Sequence, residues 1–390
     1  MFYIGIDISK NSHEISILDA SHGIVEPSKK VANTAAGTAK LLTLFEKHQV
    51  LPDNCLIGME STGHYWLVFY SFLVGLGFSV KVINPIVTDA YRNMLIRKVK
   101  NDSVDALVIA KVLMLGEYQE SSVANEETLA LRQLCRFRAY EVDTCSDLKR
   151  KAIALLDQVF PEYESLFSDT FGISSREVLS NFTTPEELSR INTRKLSNLL
   201  AKSSKGRFGV EKALELKAVA SKSLGIKIAT DAFAFQLRQL IDQLEFIEEQ
   251  VEMLDAQIAE YMERTNSFIT TIPGIGPVIG AVIVSEIGDI SRFSDGKKLV
   301  AYAGLDACVS QSGNFEGSQM HMSKRGSPYL RRAIYTAANV ASWSDPNLSE
   351  YYKRLKTRGK HHNVAVGAIA RKLCYIIFAV LSENRAFESR

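Results

Sequence analysis

Four acidic residues in the N-terminal third have the types and spacing of a metal-binding carboxylate set. Asp7 ends the apolar run FYIGID, and Glu60 ends the apolar run CLIGME. Asp102 and Asp105 are three residues apart where a helix is predicted to begin, so their side chains leave one face of it. Carboxylate oxygens suit Mg²⁺, and a pair of Mg²⁺ ions clamps the attacking and leaving oxygens of phosphoryl transfer. The four acids therefore predict a metal-dependent phosphoryl-transfer site.

A purely structural interpretation competes with this one. Asp102 is a good helix N-cap, and Asp105 is at the position that completes a capping box. Asp7 favours the metal site, because an acid at the end of an apolar strand is costly to bury without positive charge beside it. His64, in STGHY, either positions a phosphate or packs, and both readings stay open.

The elements that must position these acids follow from the pattern of the first 116 residues. Three short strands are predicted at FYIGIDIS, HEISILDA and GIVEPSKKVA, and the later elements are a helix over 35–47, the strand CLIGME, a helix over 63–76, the strand SVKVINP and helices from Pro85 and Asp102. This is the element order of the RNase H-like fold, an α/β architecture in which the first and fourth strands are adjacent. Asp7 and Glu60 are thus expected to be neighbours, with the helix carrying Asp102 and Asp105 closing over them.

Composition bounds the function. The chain has 390 residues, is 46% hydrophobic and 23% charged, and is long enough for two or three domains. Its five cysteines form no CxxC pair, which predicts reduced thiols and no zinc site. No export signal or membrane-spanning run is recognisable, which predicts a cytoplasmic protein.

The net charge of +2 hides a strong asymmetry along the chain. Residues 230–265 hold nine acids against two arginines, whereas residues 292–390 hold sixteen Lys or Arg against seven acids. A basic C-terminal region in a nearly neutral protein indicates that this region binds a polyanion. A second basic run, with Arg92, Arg97, Lys98 and Lys100, leads into the acids and is either a solvated loop or a nucleic-acid contact.

The middle of the chain is predicted to be helical. Residues 125–230 contain helical periodicity and start signals such as TTPEEL, with Thr184 as N-cap and Pro185 at the first helical position. From residue 230 to 265 a heptad seam is predicted to form a coiled coil, paired with the helix near 132–159 or with another subunit; its members are Phe233, Leu237, Leu240, Leu244, Ile247, Val251, Leu254, Ile258 and Tyr261. An oligomer role is favoured, because an isolated seam of this length needs a partner.

The C-terminal region combines a phosphate-binding motif with a serine loop. PGIGP, with Gly274 and Gly276, resembles a helix-hairpin-helix turn between two helices, in which backbone N–H groups face a phosphate. Ser312 lies in the polar run SQSG, and Lys324, Arg325, Arg331 and Arg332 follow it as candidate nucleic-acid contacts. A serine is a weak nucleophile unless a base or a metal assists it, so a loop serine alone has no assigned role.

Taken together, these motifs resemble a known family: the DEDD transposases of the insertion sequence 110 family, including its 1111 subgroup, and the related Piv-type DNA invertases. The carriers of the resemblance are GIDISK, GMESTGHY, KNDSVDALVIA, TIPGIGPVIGAVIVSEIGD, LVAYAGLDACVSQSG and SKRGSPYLRRAIYTAA. The resemblance is weakest around residues 160–225, and the chain departs from the family's usual pattern at Asp306-Ala307.

The resemblance implies three domains: a RuvC-like RNase H-fold domain over 1–124, a helical and coiled-coil region over 125–265, and a helical transposase domain over 266–390. It also implies that Asp7, Glu60, Asp102 and Asp105 bind Mg²⁺, with Mn²⁺ as an alternative, and that a serine attacks DNA. The SG motif assigns that nucleophile to Ser312, with Ser310 as the alternative. The implied partners are donor and target DNA, a bridge RNA that pairs with both, and further copies of the chain in a dimer or tetramer. The implied location is the cytoplasm of a bacterium or archaeon, in association with the nucleoid.

The predicted function is therefore RNA-guided DNA strand cleavage and exchange. Two alternatives remain: a structure-specific endonuclease of the Holliday-junction type that uses metal-activated water, and a non-catalytic nucleic-acid-binding protein whose acids only cap helices.

Overall fold

A computed structural model describes residues 1–60, 64–94, 102–116, 125–307, 311–312, 315–316 and 321–389. The chain divides into two compact units, Met1–Val123 and Ala124–Arg390. The division of the second unit into a middle and a C-terminal domain stays a prediction.

The first unit is an α/β domain around one mixed sheet. Its strands are β1 Phe2–Ile8, β2 Ser12–Asp19, β3 Ile24–Ala32, β4 Cys55–Glu60 and β5 Val80–Ile83. Its helices are α1 Ala35–Lys47, α2 Trp66–Gly75, α3 Pro85–Met94 and α4 Asp102–Leu115. These match the predicted elements, although the helix over 63–76 is described only from Trp66 onward.

The strand order is β3-β2-β1-β4-β5. Strands β1, β2 and β3 pair antiparallel through short connections, whereas β4 runs parallel to both β1 and β5. Each parallel pair needs a longer crossover, which α1 supplies before β4 and α2 before β5. The predicted adjacency of the first and fourth strands is confirmed.

The described part of the second unit is helical apart from one small hairpin and an isolated bridge between Ala307 and Met322. Its helices are α5 Glu126–Val159, α6 Ile173–Asn181, α7 Pro185–Arg190, α8 Thr193–Ser203, α9 Val210–Ala220, α10 Thr230–Arg264, α11 Pro277–Ile287, α12 Gly296–Tyr302, α13 Pro328–Ser344, α14 Pro346–Thr357 and α15 His362–Glu383. Two-residue strands β6 Gln311–Ser312 and β7 Phe315–Glu316 form the hairpin, which the sequence did not predict. Thr184 caps α7 with a capping box through Glu187, and Pro185 follows it, as TTPEEL predicted.

Two hydrophobic cores lie along the long helices α5 and α10. One core joins them to α6–α9 and contains Tyr163, Leu179, Leu200 and Leu237. The other joins them to α11–α15 and contains Ile258, Ile283, Leu330 and Leu373.

Helix α10 packs along α5 of the same chain, which is one of the two pairings that the heptad seam allowed. Its buried residues are Ala234, Leu237, Ile241, Leu244, Ile258 and Met262. Leu237, Leu244 and Ile258 belong to the predicted seam, but the other three lie one position beyond predicted members. The contact stripe is therefore rotated, and the pairing with α5 accounts for the burial of this helix face.

Helix α15 is the one described helix long and apolar enough to cross a membrane by length and composition. It packs in the core against α12 and α13, and its buried side chains include Val366, Ile369, Leu373 and Ile377. Packing within the second unit therefore accounts for its apolar composition.

The four described cysteines are free thiols and are buried. Burial raises the pKa of Cys55 to about 11 and that of Cys135 and Cys374 to about 12. These thiols stay protonated near neutral pH and serve as small core residues.

Candidate functional site

The ends of β1 and β4 bring Asp7 and Glu60 to one edge of the sheet. The parallel register pairs Ile6 with Met59, so Asp7 and Glu60 are the next residues on two adjacent strands. Asp7 lies opposite Glu14 of β2, and Glu60 lies opposite Ile83 of β5. Two acids from distant parts of the sequence thus meet at the sheet centre, as predicted.

Two glycines identify the face on which these acids lie. A Cβ atom on Gly5 would lie 1.9 Å from the carbonyl oxygen of Ala106, and one on Gly58 would lie 2.6 Å from Leu113 Cδ1. Both neighbours belong to α4, so that face of the sheet is covered by α4. Asp7 is two residues after Gly5 and Glu60 is two after Gly58, so both acids share this face.

Helix α4 brings a third acid to the same region. Asp105 immediately precedes Ala106, the residue in contact with Gly5, so the first turn of α4 lies beside the end of β1. The side chain of Asp102, at the start of this helix, lies outside the described atoms.

Helix α3 supplies partners to two of the acids. The hydroxyl of the buried Thr88 lies 2.5 Å from Glu60 Oε1 and 2.9 Å from the carbonyl oxygen of Pro85. Arg92, one turn further along, donates from Nε to Asp105 Oδ1 at 3.0 Å and also pairs with Asp89. Arg92 therefore neutralises an acid of this site, whereas the sequence had grouped it with a basic run.

The donor chemistry of this cluster suits a hard cation, since its ligands are carboxylate oxygens and one hydroxyl lies among them. A positive group, the Arg92 guanidinium, already lies against Asp105. Within the described residues, no three His, Cys, Asp or Glu side chains are arranged to hold a metal ion. The side chain of Asp102 is not among those described residues.

Several predicted residues lie outside the described part of the chain. These are Arg97, Lys98, Lys100 and Ser310, together with the side chain of Ser312. Their predicted roles stay predictions. His64 is exposed, and its ring lies 4.1 Å from that of Tyr65.

In the second unit, Ser312 is the second residue of β6 in the β6–β7 hairpin. Ser312 pairs with Phe315 and Gln311 pairs with Glu316, so two residues connect the strands after Ser312. Ser312 is therefore the last residue of β6, and its backbone pairs with the first residue of β7.

The segments flanking this hairpin are joined by backbone contacts. Ala307 forms a bridge with Met322, and the N–H of Lys324 donates to the carbonyl oxygen of Gly304 at 3.1 Å. A Cβ atom on Gly304 would lie 2.1 Å from the carbonyl oxygen of Arg325, and one on Gly326 would lie 2.0 Å from that of Tyr302. We call the paired segments 302–307 and 322–327 the stem of the serine loop.

The predicted nucleic-acid contacts of this unit have varied surroundings. Lys324 and Arg325 are exposed at the stem. Arg331 donates to the carbonyl oxygen of Ala303 at 3.3 Å, and Arg332 pairs with Asp143 at 2.8 Å. Both helix-borne arginines thus also serve contacts within the protein.

The PGIGP turn differs from the prediction in the element that precedes it, and the predicted phosphate contact of Gly274 stays a prediction. A short 3₁₀ turn, Phe268–Thr271, precedes it instead of a helix. Gly274 has φ +85°, and a Cβ atom there would lie 2.5 Å from the carbonyl oxygen of Ala337 in α13, so packing already requires this glycine. Gly276 is the N-cap of α11 and has open space around it, so its predicted phosphate contact stays a prediction.

Comparisons with known proteins agree with this arrangement. A family model described as Transposase (DEDD_Tnp_IS110) matches residues 4–161, and one described as Transposase IS116/IS110/IS902 family matches residues 266–353. Together the two matches cover more than half of the chain. The chain belongs to the IS116/IS110/IS902 family of transposases.

Relatives align over nearly the full length of this transposase. The IS116 insertion-element protein of Streptomyces clavuligerus is 26% identical, over 99% of this chain and 96% of its own. The IS110 insertion-element protein of Streptomyces coelicolor is 23% identical, over 100% and 96%. The pilin gene-inverting protein of Moraxella bovis is 25% identical, over 100% and 98%.

Membership of the family makes the protein a DNA transposase or site-specific recombinase, and the DEDD family implies dependence on a divalent metal. The first model spans all four predicted acids, and the second spans the serine loop and Glu286. Residues 162–265 lie outside both models and hold α6–α9 and α10.

Sequence reasoning missed Thr88 as a partner of Glu60. The available signal was its spacing: Thr88 and Arg92 are four apart on the predicted helix from Pro85, so they share a helix face. Which acids that face meets depends on how α3 packs, which spacing does not specify.

Gly5→Ala should destabilise the first unit, because the new methyl group cannot fit between β1 and α4. We expect the free energy of unfolding to fall by at least about 2 kcal/mol, as for overpacked cores. Gly75→Ala is the control: no atom lies within 4 Å of that Cβ position, so a change within about 1 kcal/mol is expected.

Urea unfolding followed by tryptophan fluorescence measures this difference. The chain has two tryptophans, and replacing the exposed Trp343 with Phe leaves Trp66 as a reporter of the first unit. Equal stability of the Gly5 and Gly75 variants would show that α4 does not pack this closely.

Proposed function

We propose that this transposase cleaves and exchanges DNA strands with Ser312 as nucleophile and with a divalent metal, Mg²⁺, held by Asp7, Glu60, Asp102 and Asp105. The observation that carries the proposal is the meeting of Asp7 and Glu60 on adjacent strands, on the face that α4 covers. Family membership supports the reaction class.

We assign the first unit to the RNase H-like, RuvC-like class. The strand order β3-β2-β1-β4-β5 and its mixture of antiparallel and parallel pairs support this assignment. In this arrangement the centre of the sheet carries two acids and the covering helix carries the other two, a division that concentrates negative charge at one edge.

When bound, the metal neutralises charge on the scissile phosphate. The protein's own contribution is to position the ligands. Thr88 fixes one oxygen of Glu60, and Arg92 orients Asp105 while offsetting its charge. Such partners of metal ligands hold the ligand in one orientation, which lowers the cost of ordering it during binding.

The proposed chemistry is a transesterification. The Ser312 Oγ–P bond forms as the P–O bond to one DNA strand breaks, the serine proton is released, and the DNA oxygen leaves as a hydroxyl. One phosphodiester replaces another, so the reverse reaction with a second strand rejoins DNA without ATP. The position of Ser312 at the end of β6 supports this role; Ser310 is the alternative nucleophile.

The proposed partners are donor and target DNA, a bridge RNA that pairs with both, and further copies of the chain. Support for nucleic acid comes from the excess of sixteen basic over seven acidic residues after position 291. Support for self-assembly comes from Phe235, Phe246 and Met253, which are 64%, 61% and 55% exposed on the face of α10 opposite its buried stripe. The protein would act on DNA in the cytoplasm of a bacterium or archaeon.

A junction-specific endonuclease remains the second candidate, because the same acids can serve water as nucleophile. The 25% identity with a pilin gene-inverting protein favours recombination over cleavage alone.

Ser312→Ala should abolish strand exchange and the covalent protein–DNA adduct, with DNA affinity unchanged within about threefold. The physical reason is that alanine lacks the Oγ atom that would bond to phosphorus. Denaturing electrophoresis of reactions with labelled DNA detects the adduct, and Ser310→Ala is the matched control. An adduct in the Ser312 variant that disappears in the Ser310 variant would move the assignment, and cleavage without any adduct would favour water.

Asp7→Asn should weaken Mg²⁺ binding by at least about tenfold, because even outer partners of metal ligands are worth that much. Calorimetric titration of the full chain with Mg²⁺, and with Mn²⁺ as an alternative, measures it. Asp53→Asn, an exposed acid in the same unit, is the control.

Asp102→Asn should also abolish strand exchange. Unchanged metal affinity in both Asp7 and Asp102 variants would support acids that only serve structure.

Assembly with RNA can be measured by light scattering. The purified chain with the structured non-coding RNA transcribed beside its reading frame should give a mass of at least two chains plus RNA. Phe246→Glu should reduce the chain number, because it places a charge in the exposed apolar stripe. A single chain without RNA under all conditions would contradict both proposed partners.

A further inference from the structure

Glu286 is a buried carboxylate to which the sequence assigned no role. It is 2% exposed and is the penultimate residue of α11. Its side chain lies between α5 and the start of α13. Burying a carboxylate is unfavourable unless donors replace the lost water, so its partners define its purpose.

Three donors from two elements satisfy this carboxylate. Arg136 of α5 donates from Nε to Oε1 at 2.7 Å and from a terminal guanidinium nitrogen to Oε2 at 3.1 Å. The hydroxyl of Ser327 donates to Oε2 at 2.8 Å. The bidentate guanidinium fixes the plane of the carboxylate, and the second oxygen then has one preferred position for Ser327.

Ser327 is the residue at which the stem of the serine loop ends. Its hydroxyl also accepts from the N–H of Leu330 at 3.2 Å as the N-cap of α13, and its own N–H donates to the carbonyl oxygen of Tyr302. The Tyr302 hydroxyl in turn donates to the main-chain oxygen of Glu286 at 3.2 Å. Glu286 thus contacts both segments of the stem, one through its side chain and one through its backbone.

We propose that Glu286, held by Arg136, is a positioning residue that fixes the stem of the serine loop through Ser327 and Tyr302. The proposal rests on the proposed function, since the loop matters only if Ser312 attacks DNA. A nucleophile delivered from a hairpin must keep its position relative to a phosphate, and a misplacement of about 1 Å can cost about a hundredfold in rate.

The chain offers a matched control for this ion pair. Arg138, two residues after Arg136 on α5, makes a bidentate pair with Asp255 of α10. That pair joins two helices but touches no residue of the stem. Loss of either pair removes a guanidinium–carboxylate contact of α5, so a difference in their effects reports on the stem.

The experiment measures single-turnover adduct formation by the full-length protein on labelled element-end DNA with its RNA, as a function of DNA concentration. Glu286→Gln should lower the maximal rate by about tenfold to a hundredfold while the half-saturating DNA concentration changes by less than about threefold. Asp255→Asn should keep the maximal rate within about threefold of wild type.

Ser327→Asp tests the same contact from its other side and leaves Glu286 and Arg136 in place, so it stays informative if Glu286→Gln folds poorly. Ser327→Asp preserves the helix cap but sets a second carboxylate against Glu286, so the maximal rate should fall. Adding Glu286→Gln to Ser327→Asp should restore at least about tenfold, because the glutamine amide can donate to the new aspartate.

Equal rates for a folded Glu286→Gln protein and for Asp255→Asn, or a wild-type maximal rate in Ser327→Asp, would overturn the positioning role. A change confined to the half-saturating DNA concentration would also overturn it, because Glu286 would then affect DNA binding and not the positioning of the serine loop. If the wild-type protein cleaves DNA with no adduct, the proposed serine chemistry fails instead, which separates the two conclusions.

Discussion

The close approach of α4 to the sheet is the contact on which the acid cluster depends. Gly5 and Gly58 leave space for the backbone at Ala106 and for the side chain of Leu113, which no larger residue would permit. Because side chains alternate along a strand, the same two glycines put Asp7 and Glu60 under that helix. On each strand, the glycine that allows α4 to pack closely therefore lies two positions before the acid of the site.

Charge plays a comparable part in the helical unit. The helix α10 carries the most acidic stretch of the chain, but acids on its contact side pair with bases across the packing interface: Glu248 with Lys149 and Arg176, and Asp255 with Arg138. Polar contacts of this kind favour one register of two long helices over neighbouring ones, since apolar contacts alone differ little between registers. The heptad pattern considered apolar positions alone, and the observed stripe includes Ala234, Ile241 and Met262, each one position beyond a predicted member.

Sequence patterns predicted what local periodicity and strand order determine. The adjacency of Asp7 and Glu60 follows from three strands before the first crossover, and the cap at Thr184 follows from four consecutive residues. They could not predict partners that packing selects from far along the chain. Glu286 meets Arg136 across 150 positions, and Thr88 meets Glu60 across 28, so neither pair has a local pattern. The packing of Gly274 against α13 was likewise not predictable, because α13 is distant in sequence.

The stem of the serine loop shows how backbone and side chains divide one task. Gly304 and Gly326 each abut a carbonyl oxygen of the opposite segment, so these glycines allow the two segments to approach closely. Contacts to elements outside the stem hold the pair in place, and Glu286 supplies one to each segment. A neutral hydrogen-bonding residue could make the same number of bonds. A carboxylate clamped by a guanidinium makes a stronger and more directional bond to Ser327, because the acceptor is charged and its plane is fixed. The cost of burying Glu286 is therefore accounted for by the rigidity it gives the segment that leads to Ser312.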